Sequence, residues 1–424
     1  MRLSCLLAVT ATLGTLFVSS TALADDDDIG TRPAMSKKAA DAPPPPQSSP
    51  SAATPVSQGS SGSGSYDREE VESDAGGYYR ANRAPLATDP PGDWYVLHAG
   101  LRPQLGTFGG IATFALAHAR TERFYGAFSL SAVRNDAGTH VGVAQLALGR
   151  NLADDFKGGF QLSLTENRSR NFGGLAQTSL AYNRAGSMIG LAQIASYNRA
   201  TEFAGAMQIG GYNRTDKSFT GLAEVGAFNH SRNDFTGAAQ IGVLNTIGAE
   251  PFDPRHHGSF RGVGQFGIVN TASNFYGIGQ FGAASFTAGE FGGLVQVGAL
   301  GAGAENFKGI AQIGTVAFSE KSIGLQIGVA GVSLQEHNGI QLGALGNYAK
   351  NITGAQIGIV NVAREVKGVQ IGVFNTAESL RGLQIGLANH AEDGVLPWTA
   401  ILNFGFGDGD GGETNYASRG SSSL

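Results

Sequence analysis

The chain has 424 residues, of which 15% are charged, and its formal net charge at pH 7 is −5. So small a net charge over this length gives no indication of a nucleic-acid or membrane-surface partner, and no nucleic-acid partner is expected. The single cysteine is Cys5, which lies in the N-terminal leader described next, so the remaining chain excludes disulfides and cysteine-ligated metals.

Residues 1–24 have the pattern of a secretory signal peptide. A basic residue, Arg2, precedes an apolar stretch from Leu6 to Val18, and Ala22-Leu23-Ala24 provides small residues for cleavage before Asp25. We therefore expect an exported protein. No run of 18 apolar residues follows this segment, so the sequence predicts no transmembrane helix.

Residues 25–92 differ in composition from the rest of the chain. They include the acidic run Asp25–Asp28, four consecutive prolines at 43–46 and a Ser/Gly-rich stretch at 57–65. Such a segment buries too little apolar area to offset its conformational entropy. We predict a disordered, acidic tether.

A short unit containing Gln-Ile-Gly or a close variant recurs through residues 93–407. Copies follow one another at 14 to 16 residues, with one step of 25 before Gln265 that marks an insertion at 246–259. A fixed short period predicts an array of one small structural unit. The anchor residues of the copies are Thr113, Ser129, Gln145, Gln161, Gln177, Gln193, Gln208, Glu224, Gln240, Gln265, Gln280, Gln296, Gln312, Gln326, Gln341, Gln356, Gln370 and Gln384.

Each unit combines aliphatic residues with polar breaks, which favours short strands and turns and predicts an all-β fold. In many units Asn falls five residues after the anchor and Phe five residues before it, as in Phe235, Gln240 and Asn245. Stacked in neighbouring coils, the Phe residues would form an interior aromatic column that fades, after Phe307, into aliphatic residues. The residues expected to continue it are Ile323, Ile352, Val366 and Leu380.

Two architectures fit this pattern. In a parallel β-solenoid of about 18–19 coils, equivalent amides stack about 4.8 Å apart and can hydrogen-bond from coil to coil. In an outer-membrane up-and-down β-barrel, each unit would be one strand and one turn, with Phe and Tyr forming aromatic girdles. The anchor spacings show no alternation of short and long turns, which favours the solenoid.

The solenoid interpretation assigns specific residues to a structural ladder of buried amides. These residues are Gln326, Gln341, Gln356, Gln370, Gln384, Asn361, Asn375 and Asn389. Glu224 replaces Gln at one anchor, and in a buried column it would be protonated or paired with a neighbouring amide. Trp94 and Trp398 are expected at the two ends of the array.

The last units, from Gly368-Val369-Gln370-Ile371-Gly372 onward, resemble a family of bacterial surface repeat-containing proteins with Gly-[Val/Leu]-Gln-[Ile/Leu]-Gly-x-x-Asn units. The resemblance is strong over 324–407 and looser over 110–323. It implies an exported, envelope-associated protein, and it supplies no catalytic residues.

Candidate sites for chemistry are few. His256 and His257, in the insertion, suggest a binding loop, although a solvated turn extension fits as well. The C-terminal segment 408–424 contains Asp408, Asp410 and Glu413, but it lacks the remaining ligands of a calcium loop and is expected to be a flexible tail. We predict no catalytic residue, no metal site and no cofactor.

The function expected from the sequence is that of an exported, non-enzymatic surface protein. It would be an adhesin-like or structural protein that binds a carbohydrate, protein or matrix partner along one long face. Its expected location is the cell surface or outer membrane of a Gram-negative-type bacterium, or the medium. An outer-membrane β-barrel channel or porin-like protein is the alternative.

Overall fold

The computed structural model describes residues 93–94, 96–248 and 258–406, and within these ranges the regular structure is entirely β. The strands are β1 (Asp93–Trp94), β2 (Leu97–Gly100), β3 (Gln104–Gly109), β4 (Ala112–Ala115), β5 (His118–Tyr125), β6 (Phe128–Ser131), β7 (Arg134–Ala147), β8 (Arg150–Ser163), β9 (Glu166–Gly173), β10 (Ala176–Thr178), β11 (Tyr182–Ile194), β12 (Tyr197–Thr220), β13 (Ala223–Ser231), β14 (Asp234–Thr236), β15 (Ala239–Ile241), β16 (Leu244–Ile247), β17 (Ser259–Arg261), β18 (Gly264–Phe266), β19 (Val269–Ala272), β20 (Asn274–Ile371), β21 (Phe374–Ala391) and β22 (Trp398–Phe406).

One coil of the fold has three short strands, seen most clearly in β14, β15 and β16. Each pairs in parallel with its counterpart in the next coil, so that Phe260, Gln265 and Asn270 pair with the same residue types one coil earlier. We call the three resulting sides the phenylalanine, glutamine and asparagine faces, after the residue that each strand directs inward. Long strands such as β20 arise where the ladder continues around the corners.

The parallel pairing confirms the predicted β-solenoid, which has about 18 turns. Neighbouring strands of an up-and-down barrel are antiparallel, whereas here equivalent residues of successive coils pair in parallel from β1 to β21. The barrel alternative is therefore wrong. The alternative function of a barrel channel depended on that fold and is dropped with it.

The aromatic column forms as predicted over most of the array. Fully buried Phe rings stack at centroid distances of 4.7–5.1 Å, in an almost parallel arrangement. Burying one such ring contributes roughly 1.5–3 kcal/mol relative to leaving it exposed. Its members include Phe108, Phe124, Phe156, Phe172, Phe203, Phe219, Phe235, Phe260, Phe275, Phe291 and Phe307.

The predicted continuation of this column through Ile323 is wrong. Ile323 is 51% exposed, and the buried residues after Phe307 are Ser322 and His337, followed by Ile352, Val366 and Leu380. Units from 324 onward lack one residue between Gly and Gln, so the inward position moves to four residues before the anchor.

The two ends of the described array differ. β1, which contains Trp94, pairs in parallel with β3, as any early coil would. β22 instead runs antiparallel to β21, and Trp398 at its start packs on His390 with ring centroids 4.4 Å apart. An antiparallel final strand ends the stacking of parallel coils.

Several predicted segments lie outside the described residues: the leader 1–24, the tether 25–92, His256 and His257, and the tail 408–424. Residues at both ends of the predicted insertion 246–259 belong to strands instead. Thr246 and Ile247 belong to β16 and pair with Thr271 and Ala272, and Ser259 begins β17.

Candidate functional site

The anchor glutamines form one buried column on the glutamine face. Wherever the preceding anchor is also a glutamine, Nε2 donates a hydrogen bond of 2.7–2.9 Å to its Oε1 atom. The column includes Gln326, Gln341, Gln356, Gln370 and Gln384, all of which are fully buried. These amides satisfy one another, so the column serves the fold and has no spare donor for a ligand.

The asparagines form a second buried column, and its hydrogen bonds run the other way. Asn361 donates from Nδ2 to Oδ1 of Asn375, which donates in turn to Asn389, at 2.8 Å in both cases. The same Nδ2 atom of Asn361 also donates to the backbone carbonyl of Ile371, which fixes the orientation of the amide. The column links the strands of each coil to the corner that precedes them.

Glu224 interrupts the glutamine column with a carboxyl group that is completely buried. Its Oε2 accepts a hydrogen bond of 2.6 Å from Gln240, and the hydroxyls of Thr215 and Ser231 lie 3.2 Å from its Oε1. Burial raises the pKa of this carboxyl group to about 7 despite these donors. It is paired with a neighbouring amide, as the sequence suggested, and it touches no cleft.

The outer surface of the asparagine face carries a row of arginines. In each coil, the residues directly before and after the inward residue of this strand point outward. In seven successive coils one of these two residues is an Arg. We call this row the arginine stripe. Its members are Arg120, Arg134, Arg150, Arg168, Arg184, Arg199 and Arg214.

Acidic side chains pair with several members of the stripe. Arg134 contacts Asp136 at 2.7 Å and Arg168 contacts Glu166 at 2.7 Å. Asp216 accepts from both Arg199 and Arg214, which holds the pKa of Asp216 below its usual value although burial acts in the opposite direction. In the same way Arg120 contacts Glu122 at 3.4 Å.

Three tyrosines stack beside the stripe. Tyr182, Tyr197 and Tyr212 occupy one column with ring centroids 4.9 and 5.0 Å apart. Burial in this stack raises the pKa of Tyr197 to about 12. Because the rings cover each other's faces, this column presents ring edges and hydroxyl groups to solvent.

The remaining chemistry of the described residues is sparse. Among them no three His, Cys, Asp or Glu side chains come together to hold a metal ion. Neither do they contain a helix with the length and hydropathy needed to cross a membrane.

Sequence reasoning missed the arginine stripe, although a signal was present. Arg directly follows the column Asn in Asn167-Arg168, Asn183-Arg184, Asn198-Arg199 and Asn213-Arg214. The stripe changes from one outward column to the other between Arg120 and Arg134 and changes back between Arg150 and Arg168, which obscures it until the coils are stacked.

Comparisons with models of known families, with curated proteins and with solved structures found no match.

Proposed function

We propose that this chain is an exported, non-enzymatic surface protein that binds an acidic carbohydrate polymer along the arginine stripe, in the manner of an adhesin. The observation that carries the proposal is the presence of one Arg per coil in seven successive coils. Coils of a parallel solenoid lie about 4.8 Å apart, so the row extends about 30 Å. A linear polymer with regularly spaced carboxylate or sulfate groups can follow such a row.

The chemistry of the side chains supports this partner. Guanidinium groups present planar, paired N–H donors that match carboxylate and sulfate oxygens. The neighbouring tyrosine hydroxyls, at the same spacing, supply donors and acceptors for sugar hydroxyl groups. The buried Gln and Asn side chains are engaged in the two amide columns, so we seek the function on the outer surface.

Location at the bacterial cell surface or outer membrane is part of the proposal. It is supported by the signal-peptide pattern of residues 1–24 and by the resemblance of the last units to surface repeat proteins. Fractionation of producing cells should place the protein in the envelope or the medium. Retention of the full chain in the cytoplasm would contradict it.

Affinity electrophoresis in gels containing polygalacturonate tests the binding. The double variant Arg150→Gln/Arg184→Gln should bind about tenfold more weakly, because two charge-assisted contacts are lost. The matched control Lys350→Gln/Lys367→Gln removes the same charge from another part of the array and should migrate like the wild type. Equal losses in both variants, or equal retardation by neutral dextran, would contradict a specific site on the stripe.

A further inference from the structure

A second surface, which borders the arginine stripe along one side, covers the glutamine face and its two corners. It consists of the residues from two before to three after each anchor, and we call it the apolar face. Between the anchors at 113 and 384 these positions contain no charged residue except the buried Glu224. Many of its aliphatic side chains are exposed, for example Leu191 (59%), Leu222 (61%) and Ile310 (62%).

The size of this face sets it apart from ordinary exposed apolar residues. Seventeen steps of about 4.8 Å give a length of about 80 Å. Contiguous apolar patches larger than a few hundred Å² mark sites of protein or membrane interaction. The face is therefore an interaction surface that has no partner in the isolated chain.

Two shallow grooves run along this face. The residues two positions after the anchors form the floor, with aliphatic ridges on either side. They are Gly in the C-terminal groove and Ala115, Ser131, Ala147 and Ser163 in the N-terminal groove. Near the C-terminal end the ridges include Ile357, Ile359, Ile371 and Val373, and near the N-terminal end they include Leu146 and Leu148. A hydrocarbon chain fits such a groove, because its lining is mainly aliphatic, with Ser131 and Ser163 as the hydrogen-bonding side chains of the N-terminal groove.

The edges of the apolar face are basic and aromatic. Along one edge runs the column of residues that directly follow the buried phenylalanine column. From Gly109 to Arg381 this column has no acidic member and contains Lys157, Arg261, Lys308, Lys367 and Arg381. Lys308 also contacts Glu290, which directly precedes Phe291 and so lies on the far side of the phenylalanine column from the apolar face.

The opposite edge has a similar character. It is the outward column just before each Asn, which contains Arg134, Arg150 and the stacked tyrosines, with Glu166 as the acidic member between residues 134 and 284. Other carboxylates, such as Glu202 and Asp234, lie near the corner most distant from the apolar face. Apart from Glu166, the carboxylates of these coils thus lie away from both edges.

We propose that the apolar face docks on a lipid leaflet with anionic headgroups. The aliphatic side chains would enter the boundary between headgroups and acyl chains, while the basic edges meet lipid phosphates and the tyrosines take interfacial positions. A second copy fits less well. Packing two such faces together would place basic edge against basic edge, with few acidic partners.

Flotation of the purified full chain with vesicles tests this proposal. Vesicles of phosphatidylcholine with phosphatidylglycerol should carry the wild-type protein upward, and vesicles of phosphatidylcholine alone should carry less of it. Leu191→Glu/Leu222→Glu should reduce the bound fraction about tenfold, since the charges must then enter the apolar boundary. Circular dichroism checks that each variant is folded.

The matched control is Ser187→Glu/Ser218→Glu, which adds the same charges in the same two coils on the side away from the apolar face. It should float like the wild type. All three proteins share the same N-terminal and C-terminal segments, so a difference between them reports on the face alone.

Three results would overturn the proposal. They are an absence of wild-type binding to anionic vesicles, equal binding of all three proteins, and a dimer in sedimentation velocity that only Leu191→Glu/Leu222→Glu abolishes. The last result would assign the face to a second copy of this chain. Retention of polygalacturonate binding by Leu191→Glu/Leu222→Glu is expected in every case, because the arginine stripe lies on a different side.

Discussion

Glu224 places an acidic group where every neighbouring anchor has an amide. A carboxylate has no N–H to donate to Gln208, whose Oε1 atom instead lies 3.3 Å from the hydroxyl of Thr215. A protonated Glu224 has one O–H donor and can fill the role of the missing amide hydrogen. The folded chain therefore favours the protonated form, in agreement with the raised pKa of about 7.

The sign of the resulting pH dependence follows from this shift. The pKa of Glu224 is about 7 in the folded chain and 4.5 as an ordinary value, so the folded state holds the proton more tightly. Its contribution to stability is greatest below pH 4.5 and is lost as the pH rises toward 7.

We therefore predict that Glu224→Gln stabilises the protein at pH 8 by about 3 kcal/mol, the free energy that corresponds to a pKa shift from 4.5 to about 7. At pH 4.5 the same change should have little effect. Thermal unfolding at the two pH values measures the difference. The control Gln356→Glu creates a carboxylate between Ala349 and Ala363, without the hydroxyls of Thr215 and Ser231, and should destabilise at pH 8. An effect of Glu224→Gln that does not depend on pH would contradict this account.

His140 shows the limit of what one sequence predicts about single positions. It lies in the aromatic column between Phe124 and Phe156, with ring centroids 4.6 and 5.0 Å away, and burial lowers its pKa to about 3. A His among eight in the chain gives no sign that it is stacked and neutral. Similarly, Ser322 and His337 continue the column only because the units shorten there, whereas the sequence-based prediction names the nearest aliphatic residue, Ile323.

The corner between the phenylalanine and glutamine faces explains how the units shorten. Units up to Gln312 pass this corner with Gly-x-x-Gln, and later units pass it with Gly-x-Gln. The tighter corner places Gly324, Gly339, Gly354, Gly368 and Gly382 at φ between 125° and 146°. Only glycine adopts such backbone angles without strain.

We predict that Gly368→Ala destabilises the protein by at least about 2 kcal/mol, because of the left-handed φ and the contact of an added Cβ with the carbonyl oxygen of Gly354. The control Gly173→Ala should be nearly neutral, since the nearest atom to its added Cβ is 3.7 Å away. Urea unfolding of both variants measures the contrast. Equal losses of stability would show that the corner geometry is not the cause.

The strands themselves were the most predictable part of the molecule. The sequence predicts the length of the repeat and the inward positions of Gln, Asn and Phe. These features are predictable because a buried column tolerates few residue types in every coil. The outward columns obey no such restriction. The arginine stripe and the edges of the apolar face depend on which outward positions become neighbours, and the period alone does not specify this.

The antiparallel strand β22 gives the array a defined end. The sequence predicted an atypical terminal coil at Trp398, and β22 covers the strand edge of β21 from Arg381 to His390. An uncovered edge of parallel coils presents unpaired backbone N–H and C=O groups to other molecules.

Ending the chain after Asp393, which removes β22, should therefore cause concentration-dependent association into dimers and larger species. Sedimentation velocity over a range of protein concentrations measures this. A chain ending after Phe406 keeps the covering strand and should behave like the complete protein. If both truncated chains remain monomeric, β22 is not needed to protect the edge.

The opposed directions of the two amide columns have a consequence for the electrostatics of so long a molecule. An α-helix accumulates a dipole because its peptide units point the same way. Here the glutamine N–H groups point toward the N-terminal end, and the asparagine N–H groups toward the C-terminal end. In each coil that has both amides, the dipoles of the Gln and Asn side chains oppose each other. Adding such coils therefore does not accumulate partial charge at the two ends of the array. Between Asn270 and Asn347 the second column is interrupted by Ser285 and the coils after it, and there the side-chain dipoles of the glutamines have no opposing asparagine dipoles.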